Sequence, residues 1–123
     1  MTTSSSYYMA HYNFPSHIKG DTFNGILFTV TINSAPLDLT DAELNMDLRL
    51  TPDTPVIAEH FDSEGNGITI DANPATGNFT FNAQIIDIPA DNYYYDIEVT
   101  FPSGSVKTYI GGRWNILQDV TYV

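Results

Sequence analysis

Side chains that commonly build active sites are few and scattered in this sequence. The three histidines, His11, His17 and His60, show none of the short spacings that place two imidazoles on one metal ion. Cysteine is absent, which excludes thiolate metal sites, disulfides and cysteine nucleophiles. The chain also lacks a Gly-x-Ser-x-Gly nucleophile turn and a glycine-rich loop that opens a helix and binds phosphate. We therefore predict that the protein is not an enzyme and uses no metal and no cofactor.

One acidic loop carries oxygen ligands of the kind that calcium prefers. The run Asp62-Ser63-Glu64-Gly65-Asn66-Gly67 places side-chain oxygens beside glycines. A calcium loop of the twelve-residue type would continue to a bidentate glutamate, but Ile68 and Ile70 begin a strand pattern instead. We therefore favour an ordinary hairpin loop or bulge over a calcium site.

Tyrosines provide the clearest binding chemistry near the start of the chain. Tyr7, Tyr8 and Tyr12 lie within residues 1–13, which show no periodicity, and Phe14 follows directly. Tyrosine is enriched at interfaces because it combines a large apolar ring with a polar hydroxyl. Residues 1–13 are therefore either a loosely held tail or an arm that docks on a neighbouring subunit. Under the second interpretation, these four aromatic residues contact a partner.

Two further tyrosines are candidates for a binding surface. Tyr94 and Tyr109 fall on the polar face of two strands that we expect to pair. A cross-strand aromatic pair stabilises a sheet by roughly 0.2–1 kcal/mol without any ligand. The same pair also offers a surface to a polysaccharide or to a protein. We add Tyr94 and Tyr109 to the predicted partner-contact residues and leave these interpretations open.

The elements that must position these residues are β-strands, because hydrophobic residues recur with a period of two. Two segments, 43–51 and 93–101, alternate most clearly. Their inward residues are Leu44, Met46, Leu48 and Leu50 in the first, and Tyr93, Tyr95, Ile97, Val99 and Phe101 in the second. Shorter runs predict strands at 24–33, 56–61, 67–71, 78–82, 105–110 and 113–117. A Pro/Gly turn at 102–105 predicts a β-hairpin over 92–111.

The number and spacing of these strands determine the expected architecture. Seven or eight short strands separated by turns predict an all-β fold, an antiparallel immunoglobulin-like β-sandwich. We place this domain at residues 14–123 and the N-terminal arm at residues 1–13. A chain of this length buries roughly two thirds of its unfolded surface, so one core is possible without disulfides.

The charge balance excludes several classes of partner. Fifteen acidic and four basic residues give a formal net charge of -11. Nucleic-acid binding is excluded, because its affinity comes largely from Lys and Arg on phosphates, and anionic membranes are excluded for the same reason. No basic cluster with an apolar stretch of about 7–15 residues marks a secretory signal. We expect synthesis in the cytoplasm without secretion through a signal peptide.

An ordered set of short motifs resembles a phage family. That family is the immunoglobulin-like N-terminal domain of phage baseplate upper proteins, with small related neck, tail or fibre-anchoring proteins. The motifs are KGDTF at 19–23, PLDLTDA at 36–42, MDLRL at 46–50, IPADNY at 88–93 and YYDI at 94–97. Asp41 and Asp91-Asn92 depart from the glycine-containing turns that are common in the family. Because all three are turn residues, the implied fold is unchanged.

The resemblance implies a function without catalytic residues. It implies a structural virion protein of a tailed bacteriophage, an adaptor that joins tail or baseplate, neck or fibre components. Its partners would be other virion proteins, and it would form a homo-oligomer, a trimer or a ring, within the particle. The alternative, which follows from Tyr94 and Tyr109 rather than from the resemblance, is a carbohydrate-binding or adhesin-like β-sandwich module.

Overall fold

The computed structural model describes residues 2–3 and 10–120 of the chain. Within them lie thirteen β-strands and a 3-10 turn at Pro74–Thr76, and none of the described residues is α-helical or forms a helix able to cross a membrane. The strands are β1 (Thr2–Thr3), β2 (Ala10–His11), β3 (His17–Ile18), β4 (Thr22–Phe23), β5 (Ile26–Ile32), β6 (Ala35–Pro36), β7 (Glu43–Arg49), β8 (Glu59–Asp62), β9 (Ile68–Ile70), β10 (Asn78–Phe81), β11 (Gln84–Ile85), β12 (Asp91–Thr100) and β13 (Val106–Leu117).

The strands form two main sheets with one core between them. The first sheet has the order β1-β5-β10-β9, with β6 beside β5. The second has the order β2-β13-β12-β7-β8, with β3 beside β13, and a small pair joins β4 to β11. In the strand letters of immunoglobulin domains, β5-β10-β9 corresponds to B-E-D and β13-β12-β7-β8 to G-F-C-C′. β1 runs parallel to β5 beside strand B, and β2 runs parallel to β13 beyond strand G. The protein therefore has the predicted immunoglobulin-like β-sandwich fold.

Strand alternation places the core residues as predicted on the two longest patterns. Leu44, Met46 and Leu48 of β7 are buried, as is every second residue from Tyr93 to Val99 of β12. The prediction for Leu50 is wrong: β7 ends at Arg49, and Leu50 is 49% exposed.

Two predicted strand boundaries also differ from the structure. The strand predicted at 56–61 begins only at Glu59, and residues 50–58 form a loop. The strands predicted at 105–110 and 113–117 are one strand, because Gly111 and Gly112 continue the pairing of β13 with β12. The hairpin at the 102–105 turn is confirmed, and its second strand extends to Leu117.

The turn before β12 is closed by a side chain. The Tyr93 hydroxyl donates a hydrogen bond of 2.6 Å to the Pro89 carbonyl, four residues upstream. The tyrosine corner of immunoglobulin domains makes the same kind of bond at the start of strand F. This bond fixes the approach of the chain to β12 from the preceding turn.

The centre of the core is a cluster of aromatic rings around Phe14. Its ring stacks on Trp114 at a centroid distance of 4.6 Å and lies 4.9 Å from Tyr95. Phe28 and Phe81 of the opposite sheet lie 6.2 Å and 5.8 Å away. Phe14 therefore contacts both sheets, and it is only 5% exposed. The prediction that Phe14 contacts a partner is wrong, because its side chain is enclosed by the chain's own core.

Residues 10–18 run along the edge of β13 rather than away from the domain. Tyr12 and Phe14 each donate a backbone N–H to a β13 carbonyl at 3.0 Å, and Asn13 Oδ1 accepts the Arg113 N–H at 3.0 Å. A Cβ at Gly112 would collide with the Tyr12 carbonyl oxygen, so glycine permits this close approach. The boundary predicted between residues 13 and 14 therefore falls between β2 and β3, in a segment that is hydrogen-bonded along β13. Tyr7 and Tyr8 lie outside the described residues.

Replacing Phe14 with Ala should destabilise the isolated domain strongly. Removal of a buried phenylalanine ring costs about 3–5 kcal/mol in the free energy of unfolding. Urea denaturation followed by tryptophan fluorescence measures this loss, since the ring stacks on Trp114. The control is Val106→Ala, at a 53% exposed position, which should change stability by less than about 0.5 kcal/mol. A loss below about 1 kcal/mol for Phe14→Ala would contradict its role in the core.

Candidate binding surface on the six-stranded sheet

The outer face of the second sheet carries a row of titratable side chains in cross-strand register. The row crosses β8, β7, β12, β13 and β2, and these strands contribute, in that order, His60, Asp47, Asp96, Gly111 and His11. No side chain rises between Asp96 and His11, because the residue at that register position is a glycine. The row therefore contains a gap on the surface of the sheet.

A second row lies directly beside the first. Tyr94 on β12 stands opposite Arg49 on β7 and opposite Arg113 on β13. The Arg113 guanidinium lies over the Tyr94 ring, with its central carbon 4.9 Å from the ring centroid. Cation–π contacts of this kind contribute roughly 0.5–1 kcal/mol at exposed sites. Two of the four basic residues of the chain thus flank one tyrosine.

A cavity of about 540 Å³ opens over the two rows, beside β13 and the segment that begins with β2. Its volume lies within the range of small-molecule sites. Side chains that line it include His11, Asn13, Pro52, Tyr94, Asp96 and Arg113. We call this cavity the β13 cleft. Tyr94, a predicted contact residue, belongs to it.

The first row begins with an ion cluster that holds β8 on β7. His60 Nδ1 lies 2.6 Å from Asp47 Oδ1, and His60 Nε2 lies 3.1 Å from Asp62 Oδ2. Both ring nitrogens face carboxylates, and both can donate to them only when the imidazole is protonated. The hydrogen bond to Asp47 raises the pKa of His60 against opposing desolvation, and Asp62 adds to the rise. Arg49 Nη2 shares the same Asp47 carboxylate at 3.3 Å.

Two charged groups of the β13 cleft have no hydrogen-bond or ion-pair partner within residues 10–120, although Arg113 makes the cation–π contact with Tyr94. Neither the Asp96 carboxylate nor the Arg113 guanidinium forms a hydrogen bond or ion pair with another described residue. Desolvation, Glu98 and Asp47 raise the pKa of Asp96, while Arg49 opposes the rise. The cleft therefore presents one acceptor-only and one donor-only group to a ligand.

An apolar loop borders the cleft on the β7 side. Within residues 50–58, Leu50, Val56 and Ile57 are 49%, 70% and 46% exposed. A groove of about 310 Å³ runs between Leu50, Val56 and Ala58. Arg49 Nη1 holds this loop by donating to the Thr54 carbonyl at 2.8 Å. We call residues 50–58 the apolar loop.

The sequence patterns predicted strands at both ends of the apolar loop, so the exposure of its hydrophobic side chains was not predicted. The signal that identifies it is the segment Thr51-Pro52-Asp53-Thr54-Pro55, in which two prolines lie close together. Proline cannot donate to a strand ladder and is confined to edges and turns. The hydrophobic residues that follow Pro55 therefore lie on a loop and not in the core.

The structure separates the two tyrosines predicted to form a pair. The register of β12 and β13 shifts between Ile97 and Glu98, so that Tyr109 occupies a β-bulge. Tyr109 is partly buried against the core, and burial raises its pKa. The residue opposite Tyr94 is Arg113. The predicted cross-strand pair of Tyr94 and Tyr109 is therefore wrong, and the contact of either tyrosine with a partner stays a prediction.

Tyr12 also occupies a different environment from the one predicted. Its ring is half-buried and packs edge-on against Phe14 and Phe28, at 5.3 Å and 5.7 Å. Its carbonyl accepts the Tyr95 hydroxyl. Tyr12 thus closes the rim of the core beside the cleft.

The acidic loop after β8 is held by its own hydrogen bonds. Asp62 donates its N–H to the Asn66 carbonyl at 2.8 Å, and Asp62 Oδ1 accepts the Glu64 N–H at 2.8 Å. Asn66 Nδ2 donates to the His60 carbonyl at 3.1 Å. The loop connects β8 to β9, which belong to different sheets.

The His60 cluster predicts a pH dependence of stability. Because the folded-state pKa lies above the ordinary 6.5, the stabilisation is complete below that pH and is lost as pH rises through the folded pKa. The wild type should therefore have a higher free energy of unfolding than His60→Gln, and this difference should be larger at about pH 6 than at about pH 9. NMR titration of the His60 ring protons measures this pKa directly. A His60 midpoint at or below 6.5 would contradict the assignment.

Comparisons with known proteins identify no family for this chain. No family model matches it, and no curated protein matches it. Among solved structures, a chain from a crystal structure of chicken TCR is similar, with a TM-score of 0.46 and 13% identity. The match covers 94% of this chain and 56% of that chain, so this protein spans little more than half of its length.

Proposed function

We propose that this chain is a structural virion protein of a tailed bacteriophage, an adaptor that joins particle components by protein–protein contact. The observation that carries the proposal is the apolar loop, which exposes three large hydrophobic side chains beside an Arg–Tyr–Arg row. Clustered exposed hydrophobic side chains mark interaction sites on soluble proteins. Tyrosine and arginine are the residue types most often found in binding hot spots.

Covering the apolar loop supplies a driving force for association. Val56 is 70% exposed, and Leu50 and Ile57 are about half exposed. Burying each of these side chains in a partner contributes on the order of 1–2 kcal/mol. The loop is held by the Arg49 bond to Thr54, so less conformational entropy is lost when a partner binds.

The virion location rests on the phage resemblance of the sequence. The motif at 88–93 includes Pro89 and Tyr93, which form the hydroxyl–carbonyl bond at the start of β12. The motif at 46–50 supplies Asp47, Arg49 and Leu50, which belong to the candidate surface. We propose other virion proteins as partners and a homo-oligomer, a trimer or a ring, as the assembled form.

The acidic charge affects how copies meet in such an assembly. With a formal net charge of -11, acidic faces of neighbouring copies repel one another. An uncharged contact avoids this repulsion, and the part of the apolar loop from Pro55 to Ala58 carries no charge. The loop is therefore the surface that we propose for contact within the particle.

Replacing Val56 with Asp should prevent incorporation into particles without unfolding the domain. The new carboxylate would be desolvated at the contact, while position 56 is exposed in the isolated chain. Mass spectrometry of particles purified from cells that carry the gene measures incorporation, and thermal denaturation checks the fold.

The matched control is Val106→Asp. Val106 is 53% exposed and pairs with Thr100 at the opposite end of the sheet from Arg49 and Tyr94. It should enter particles at the level of the wild type. Absence of the wild-type chain from purified particles would overturn the virion function, and equal incorporation of Val56→Asp would overturn the assigned surface.

A further inference from the structure

The β13 cleft has a mixed hydrogen-bonding character. Arg113 offers only donors and Asp96 only acceptors, and neither side chain forms a hydrogen bond or ion pair in the described part of the chain. The Arg113 guanidinium lies over the Tyr94 ring, and this contact leaves its N–H donors unpaired. A ligand that pairs both groups must accept from Arg113 and donate to Asp96. The two groups stand on adjacent strands and adjacent rows, since Arg113 pairs with Tyr94 and Asp96 follows two residues later on β12.

The segment at residues 10–18, which runs along β13, supplies further polar groups. Asn13 Oδ1 accepts the Arg113 N–H, which orients this amide beside the cleft. His11 lies across from Gly111, on the side of the cleft away from Asp96. An amide and an imidazole each add donor and acceptor capacity. Polar groups thus face the cavity from three strands rather than from one side.

The charges around the cleft select against strongly charged ligands. Two arginines, Arg49 and Arg113, and two aspartates, Asp47 and Asp96, line it, so their formal charges cancel. The molecule as a whole carries a net charge of -11, which repels phosphates and other polyanions. A cation that approached Asp96 would meet the two guanidinium groups.

A neutral compound rich in hydroxyl groups satisfies these requirements. Each hydroxyl both donates and accepts, so neighbouring hydroxyls can bond Asp96 and Arg113 together. The Tyr94 ring adds apolar surface, and a volume of about 540 Å³ suits a small ligand. We infer that the β13 cleft binds a neutral saccharide of one or two sugar rings, with Arg113 and Asp96 hydrogen-bonded to its hydroxyls.

The β13 cleft does not include Tyr109, so this site is not the predicted tyrosine pair. The proposed adaptor contact adjoins the cleft at Pro52 and at the Arg–Tyr–Arg row, but its hydrophobic side chains, Leu50, Val56 and Ile57, do not line the cleft. A chain with both surfaces would join other proteins through one and bind glycan through the other.

The test begins with an array of immobilised neutral and acidic oligosaccharides probed with the full chain. Titration calorimetry with the strongest neutral oligosaccharide then compares the wild type with variants. Arg113→Ala and Asp96→Ala should each raise the dissociation constant at least tenfold. Asp96→Ala should keep the fold, because it removes a carboxylate opposite Asp47, and thermal denaturation checks this.

Matched controls separate the cleft from its surroundings. Glu98→Ala removes a carboxylate from the same face of β12 outside the cleft, and Val56→Asp alters only the apolar loop. Both should bind the oligosaccharide as the wild type does. Binding of acidic glycans only, of no glycan, or unchanged binding by both cleft variants would overturn the inference and leave the adaptor proposal unaffected.

Discussion

The fold and the candidate surface both depend on the close approach of the Tyr12 carbonyl to Gly112. A side chain at position 112 would occupy the place of that oxygen. The Tyr95 hydroxyl donates to the same carbonyl, so β12, β13 and the segment at residues 10–18 are in contact there. Burial raises the pKa of Tyr95, which keeps its hydroxyl protonated as a donor. From this point Phe14 enters the core, while Asn13 remains at the cleft.

Aromatic packing holds the two sheets together in a chain that has no disulfide. In antibody domains, a disulfide between strands B and F crosses the core and packs against tryptophan. Here Phe14 lies between Tyr95 of strand F and Phe28 of strand B and stacks on Trp114. The indole N–H of Trp114 has no hydrogen-bond partner among the described residues, and the rings of Phe23 and Phe81 surround it edge-on.

The outer face of the second sheet carries a pair of like charges that lowers stability. Asp47 and Asp96 stand directly opposite each other, an arrangement that destabilises a sheet. His60 and Arg49 neutralise Asp47, but Asp96 has no such partner within residues 10–120. An unpaired carboxylate beside a cavity contributes nothing to packing. We propose this carboxylate as the acceptor for a bound ligand, and the glycine that follows it in the row leaves the cleft open.

The amino-acid sequence by itself determined the all-β class, the inward residues of β7 and β12 and the 102–105 hairpin, because alternation and turn chemistry act between near neighbours. Local patterns also placed Tyr94 on the outer face. Only the tertiary structure decided that Phe14 lies in the core, that a bulge separates Tyr109 from Tyr94, and that Asp47, Asp96 and His11 share one row. These outcomes depend on the register between strands far apart in the chain, and a shift of one residue reverses the face of every side chain.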